Sequence, residues 1–545
     1  MQSGGVSFDE AFKLVGGHGS FQLKSSIGLW LSLLHGFILL FGFQYSLTIP
    51  SLICKDKAGL ETCSEETACR VGEFIFDPHE IKSAVSEWTL LCGMKYHIFI
   101  LIAIVGVGFS IGILVLGKLA EIYGRKKTLF FGIIHSASTG FVLICSRTPW
   151  FFSTIMFFCS LSLPASIIIP YVWIFELSDK PFRPIFYLLN TVLVTMAFAI
   201  AYAASNYFLS WRASVIASVI FGLIAIFPLR SLKESPRFLA CNLGRYSKAR
   251  KILKFISEVN KKESFQEKLE GEAFNEYEKA GKISTHVSDQ PSGATAVLAL
   301  DESTLEKEKH EDKGIHIGFK YVFFSRRLRK MLFRCSFSWL IVGFELGIIV
   351  SQSKYFINYS LFELTISCIL CLLLSTQAAI FGNKIGTRRS TMIASAFFII
   401  ACAIPLLTYI DSPMLKTVSS YGLIITFPAI FSVITFLFII TQESFPTYGR
   451  CLASFLCLFF MICSFAIGYS IQYLHIPQKI ILWAVSLVLI PSICLYHPDS
   501  LYEENFDGAA DTSSIEITVQ ATKKPPSHQK SNSSSFQVMS EELSA

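Results

Sequence analysis

Long apolar runs separated by short polar punctuation occupy most of this chain. Each run approaches the ~20 residues a helix needs to cross a bilayer core of ~30 Å. The pattern predicts helices at 27–49, 97–117, 128–146, 150–175, 184–208 and 212–230. After a charged gap it predicts six more, at 332–355, 361–382, 390–410, 417–441, 451–474 and 478–497. The expected molecule is an all-α integral membrane protein with two blocks of six spans. Its predicted parts are an N-terminal segment (1–26), a first bundle (27–230) interrupted by a long loop (50–96), a charged loop (231–331), a second bundle (332–497) and a tail (498–545). The tail is Ser-rich with Pro525-Pro526 and is predicted to be disordered.

Composition agrees with this pattern. Of 545 residues, 52% are hydrophobic and 16% charged, against about 25% charged in soluble domains. That balance argues against soluble, disordered, collagenous and nucleic-acid-binding classes. Residues 231–330 hold 35 of the 87 charged residues, which leaves the spans nearly bare. Lysine and arginine in short loops are retained on the cytoplasmic side. Lys118, Arg125, Lys126, Lys127, Lys180, Arg183, Arg388, Arg389 and Arg450 all fall in even-to-odd loops. Both termini and the charged loop are therefore expected in the cytosol, and the net charge of +7 is mostly inner-face loops. Arg147 and Arg212 fall on the opposite side. Residues 245–260 place Ala249, Ile252, Leu253, Phe255 and Ile256 among lysines, as an amphipathic helix beneath the bundle would.

The 50–96 loop carries Cys54, Cys63, Cys69 and Cys92, an even set in an oxidising compartment, which predicts two disulfides with the pairing left open. Free surface thiols are the alternative. Ionisable groups within membrane spans are functional candidates. Glu345 is the clearest, as partner of a cationic solute or carrier of a proton, or paired internally, for example with His35. Trp339, Tyr171 and Trp173 are candidate aromatic walls, and Gln377 and Asn190 candidate polar contacts. No phosphate loop, catalytic-triad spacing, dinucleotide motif or metal-ligand spacing stands out, so neither an enzyme nor a cofactor is expected.

The loop after the second span reads Gly117-Lys-Leu-Ala-Glu121-Ile-Tyr-Gly124-Arg125-Lys126-Lys127. It resembles the G-x-L-a-D-r-x-G-r-k signature of the major facilitator superfamily, with Glu121 in place of Asp. A second copy follows the eighth span as Asn383-Lys384-Ile385-Gly386-Thr387-Arg388-Arg389, its acid replaced by Asn. Glu176 precedes Arg183 by seven residues, and Glu443 precedes Arg450 by seven, in the corresponding loops of the two halves. Two six-helix repeats follow from these pairs.

Four further stretches narrow the resemblance to solute carrier family 22, the organic cation, carnitine and organic anion transporters. They are Phe8-Asp9-Glu10 with Val15-Gly16-Gly17 and Phe21-Gln22, then Ser86-Glu87-Trp88-Thr89-Leu90-Leu91-Cys92, then Glu234-Ser235-Pro236-Arg237-Phe238-Leu239, and Glu443-Ser-Phe-Pro446-Thr447-Tyr-Gly-Arg450. Sugar porters share the third stretch and the charged loops, but the seventh span here, Trp339 to Gly347, lacks their Gln-Gln pair.

The resemblance implies a major facilitator fold in the plasma membrane, with no ATP or cofactor, that moves small organic solutes by alternating access. Gly117, Glu121, Gly124, Arg125, Glu176, Arg183, Glu443 and Arg450 would form its cytosolic gate. It also implies an ion anchor in the eleventh span, Asp in cation carriers and Arg in anion carriers, at a position held here by Ile462. The acid usual in the eighth span is absent too, with Cys371 near that place. Neutral and zwitterionic solutes thus stay open, as does a non-transporting receptor or scaffold.

Overall fold

The computed structural model describes residues 12–56, 59–179, 182–243, 245–262, 326–351, 369–370, 373, 386–410, 412–445, 447–471 and 477–494. Most of the eighth predicted span, Gln377 within it, most of the charged loop and the tail lie outside these residues.

The first half contains α1 (Ser20–Ser46), a small extramembrane layer, α4 (Tyr96–Ile122), α5 (Arg125–Ile144), α6 (Pro149–Leu177), α7 (Arg183–Tyr207) and α8 (Trp211–Ser231). The extramembrane layer holds β1 (Leu52–Asp56), β2 (Gly59–Cys63), α2 (Glu65–Val71), β3 (Phe74–Phe76) and α3 (Ala84–Glu87). Two short helices follow α8, α9 (Pro236–Cys241) and α10 (Tyr246–Val259). The second half has α11 (Arg326–Ser351), α12 (Thr387–Ala403), α13 (Pro413–Ser444), α14 (Thr447–Ser470), α15 (Gln478–Ser486) and α16 (Leu489–Cys494). Among the described residues, ten helices are long and apolar enough to cross a membrane. The molecule is an all-α membrane protein, and the three-stranded sheet among the described residues lies outside the spans.

Two boundaries differ from the apolar pattern for local reasons. Helix α1 starts at Ser20 rather than 27, because its first polar side chains find partners. Gln22 accepts from the Gly19 N–H at 3.1 Å and donates to the Leu177 carbonyl at 3.4 Å, and Ser26 donates to the Gln22 carbonyl at 2.8 Å. The last predicted span is interrupted, α15 ending at Ser486 and α16 beginning at Leu489.

Small residues let the apolar helices approach closely, as membrane packing requires when lipid offers no hydrophobic drive. A Cβ on Gly112 of α4 would stand 2.0 Å from the Leu161 carbonyl of α6. Gly347 of α11 would bring one to 2.3 Å from the Phe465 carbonyl of α14. Gly343 and Gly468 make equally close approaches along that same α11–α14 seam.

The face carrying the sheet, called here the disulfide face, is stapled to the first half. The sheet order is β2-β1-β3, both pairs antiparallel. Cys54 pairs with Cys63 and Cys69 with Cys92, which resolves the pairing. Ser64 caps α2 by accepting from the Thr67 N–H, and Gly72 ends it at a φ of 78° that a glycine adopts without strain. Glu80 accepts from both the N–H and the hydroxyl of Ser51. Arg212, at the start of α8, donates to both Glu87 oxygens and to the Ile144 and Ser146 carbonyls. Trp211 also donates to Glu87, and Trp88 to the Arg147 carbonyl. The positive charge of Arg212 on this face is thus neutralised by an acid of the Ser86–Cys92 motif. Burial opposes ionisation of Glu87, but the hydrogen bonds and charge of Arg212 outweigh it and hold the carboxyl below its ordinary range.

Two outcomes are expected. Arg212→Ala should cost about 2 kcal/mol, read as a lower thermal midpoint of the purified chain. Glu87→Ala should then add less in that background than alone, whereas additive losses would contradict the pairing. Gly347→Leu should abolish a monodisperse size-exclusion peak in detergent, and a wild-type profile would refute the close approach of α11 and α14.

Candidate functional site

The loop between α4 and α5 turns at Gly124, whose φ of 98° lies in the region that glycine favours. A Cβ there would also strike the Glu234 carboxylate at 2.4 Å. That carboxylate accepts from the N–H groups of Arg125 and Lys126 at 3.2 and 3.1 Å and so satisfies the open N-terminus of α5. Burial pushes the Glu234 carboxyl above its ordinary range, and the Ser235 N–H, the Arg125 charge and the Lys126 N–H draw it back. Lys126 reaches across to the Arg230 and Leu232 carbonyls at 2.7 and 2.6 Å. This face, opposite the disulfides, is called the basic face.

Arg125 lies at its centre with a fully buried side chain. Its Nη2 pairs with Glu176 Oε1 at 2.9 Å, its Nη1 donates to the Ala120 carbonyl, and its guanidinium covers the Phe238 ring at 4.1 Å. The same Nη2 reaches the Thr447 carbonyl of the second half at 3.5 Å. Glu121 accepts from the Leu452 N–H at 3.1 Å, and Gly117 faces Phe455 so closely that a Cβ would sit 3.1 Å from it. Phe175 receives two guanidinium groups, Arg183 from α7 at 3.9 Å and Arg450 from α14 at 4.6 Å. Helices of the two halves therefore close on one another at the basic face.

The second loop copy has the same backbone. Gly386 before α12 has φ 93° and ψ 151°, against 98° and 166° at Gly124. At the position matching Arg125 stands Thr387, whose hydroxyl donates to Glu443 at 2.7 Å. Thr387 thus contacts Glu443 at the place where Arg125 pairs with Glu176 in the first half.

Toward the disulfide face the halves part around a cavity of about 300 Å³. Helices α1, α4, α6 and α7 supply one wall and α11, α13 and α14 the other. Phe37, Phe41, Phe99, Phe109, Phe427, Phe431, Phe438 and Phe465 dominate the lining. Tyr171 lies flat on Phe438, ring centroids 4.3 Å apart at 4°. The Thr191 and Thr435 hydroxyls hydrogen-bond across the halves. At the mouth Lys95 pairs with Glu65 at 2.7 Å.

The sequence candidates divide sharply on this map. Tyr171 lines the cavity, and Ile462 does too. His35, Asn190, Trp173, Trp339 and Glu345 are not among the residues that line this cavity. His35 is held inside the first bundle by the Ser218 carbonyl at 2.8 Å and the Ser136 hydroxyl at 2.7 Å, so it does not reach Glu345. Asn190 accepts from Trp30 at 3.0 Å. Trp339 donates to Thr441 and stands edge-on behind Phe438. Trp173 is fully buried. Glu345 is fully buried in the second bundle, near Cys402, and neither of its oxygens has a hydrogen-bond partner. Gln377 lies outside the described residues. The gate set fares differently: Gly117, Glu121, Gly124, Arg125, Glu176, Arg183, Glu443 and Arg450 all occur at the basic face described above. Sequence reasoning passed over Phe175, one phenylalanine among 50, and Glu234, which stood in a quoted motif without a role.

Comparison with known proteins agrees with this architecture. Residues 93–471 match the family model described as Major Facilitator Superfamily. Solute carrier family 22 member 2 of Rattus norvegicus is 27% identical over 33% of this chain and 32% of its own length. Organic cation/carnitine transporter 2 of Homo sapiens is 26% identical over 36% of this chain and 35% of its own. Organic cation/carnitine transporter 4 of Arabidopsis thaliana is 25% identical over 68% and 65%. The matched region thus spans only about a third of the rat and human relatives. In fold, the chain is similar to the proton:xylose symporter XylE bound to 6-bromo-6-deoxy-D-glucose, with a TM-score of 0.55 and 14% identity over 90% of this chain and 96% of that one. On the match over 93–471 and the paired bundles, the chain belongs to the Major Facilitator Superfamily.

Proposed function

We propose that this protein is a plasma-membrane carrier of the solute carrier family 22 type, which moves small organic solutes by alternating access. The conformation is outward-facing, with the disulfide face outside and the basic face in the cytosol, the orientation favoured by the loop lysines and arginines. One observation carries the reading: a cavity between the halves is open at one face while contacts between the same halves close the other. Arg125, Glu121, Gly117 and Phe175 all contribute to that closure, and each contact spans α14 and a helix of the first half. Separating the halves there would break them together and open the cavity inward. Glu176 would then keep Arg125 paired within the first half, so that the buried charge is never left without a partner.

Uptake by expressing cells tests the reading. Arg125→Gln should lower solute uptake by at least about tenfold at equal surface expression, since removing one member of a buried pair leaves the other uncompensated. Uptake at the wild-type rate would reject the gate. Buried Cys451 lies beside this charge cluster and reports the closure directly. Glu121→Gln should speed its reaction with a membrane-permeant thiol reagent; unchanged labelling would mean that the Glu121–Leu452 contact does not hold the face shut.

A further inference from the structure

We infer that the cavity is built for an uncharged, ring-bearing solute and discriminates against organic ions of equal size. The statement about binding follows from the lining alone; that such a solute is also carried rests on the transporter reading above.

The first ground is charge. Among the described lining residues only Glu65 and Lys95 are ionic, and they neutralise each other at the mouth. The sequence extends this beyond the described residues. Spans 27–49, 97–117, 150–175, 184–208, 417–441 and 451–474 contain no Asp, Glu, Lys or Arg, and 332–355, which supplies Leu346, Val350 and Ser351, carries Arg334, Glu345 and Lys354, none of them among the described lining residues. Leu346 faces the cavity, but Glu345 beside it is fully buried and is not among the lining residues. An ion moved from water into such a site loses hydration worth several kcal/mol and gains no opposite charge.

Ring faces could in principle replace that charge for a cation. Here several are spent on one another. Tyr171 stacks on Phe438, and Phe427 packs against both Phe198 and Phe431 with centroids 4.9 Å apart. The tryptophans that hold cations best, Trp173 and Trp339, lie outside the lining. What remains for a ligand is apolar edge and face contact, with a few neutral polar groups for orientation. Gln44, Thr48, Ser351 and Tyr469 supply these toward the open end. Deeper in, the Thr191–Thr435 pair joins the halves. A volume near 300 Å³ stands at the lower end of small-molecule pockets, which suits one or two fused rings.

Three probes share an indole ring and differ in charge near pH 7: tryptophol is neutral, tryptamine cationic and indole-3-acetate anionic. Thermal-shift titration of the purified full-length chain should show tryptophol protecting at concentrations at least about tenfold lower than either ion. Ile462→Asp, which places a carboxylate on the wall, should reverse the preference toward tryptamine. Equal or better protection of the wild type by an ion overturns the inference, and so does no protection by tryptophol. Uptake of the same probes separates the two readings. Transport of the ions with tryptophol excluded would uphold the carrier and sink the neutral cavity. Saturable tryptophol binding without uptake would uphold the cavity and sink the carrier.

Discussion

A guanidinium with no access to water must keep its hydrogen-bond partners in every state the protein adopts, and Arg125 organises the basic face on those terms. Glu176 neutralises it, the Ala120 carbonyl and the Phe238 ring enclose it, and the Thr447 carbonyl ties it to the second half. The geometry around it follows. Gly124 is required because a side chain there would displace the Glu234 carboxylate that caps α5. The Thr447 contact crosses between halves while the pair with Glu176 lies within one, so that pair can persist when the Thr447 contact breaks. A strong, permanent bond inside one half and a weak, breakable one across to the other is what a gate requires.

The two halves share the turn of this loop but not its residues. Gly124 and Gly386 hold the same backbone conformation, so the turn is a property of both repeats. Thr387 in place of arginine gives Glu443 a neutral partner. From the first half, Arg125 and Glu121 grip α14 through Thr447 and Leu452. The disulfide-bonded layer adds rigidity on the other face, where Arg212 and Glu87 fasten it to the first half.

The sequence made the spans, the paired loops and the disulfide cysteines legible, because each depends on local composition or spacing. The membrane face of a side chain was a different matter. Helices apolar all round give no periodicity from which to tell cavity from bundle interior. His35 and Asn190 find partners inside the first bundle, and polar character alone does not distinguish such groups from ones that meet a solute. The start of α1 was missed for a related reason: Gln22 and Ser26 look like loop residues until their partners on the backbone are seen. Arg212 looked out of place on the disulfide face because its partner, Glu87, is 125 residues away in sequence. The spacing of Gly343 and Gly347 was a readable sign of close helix packing.

Alternating access requires one cavity to open in turn to two faces. Spin-label distances measure this directly, in a background freed of reactive cysteines. One pair would sit on the exposed residues Tyr207 and Met414 at the disulfide face, the other on Lys127 and Arg389 at the basic face. Two populations are expected, in which the first distance shortens as the second lengthens, with a bound solute shifting the balance. A single unchanging distance at both faces, with and without solute, would contradict the claim.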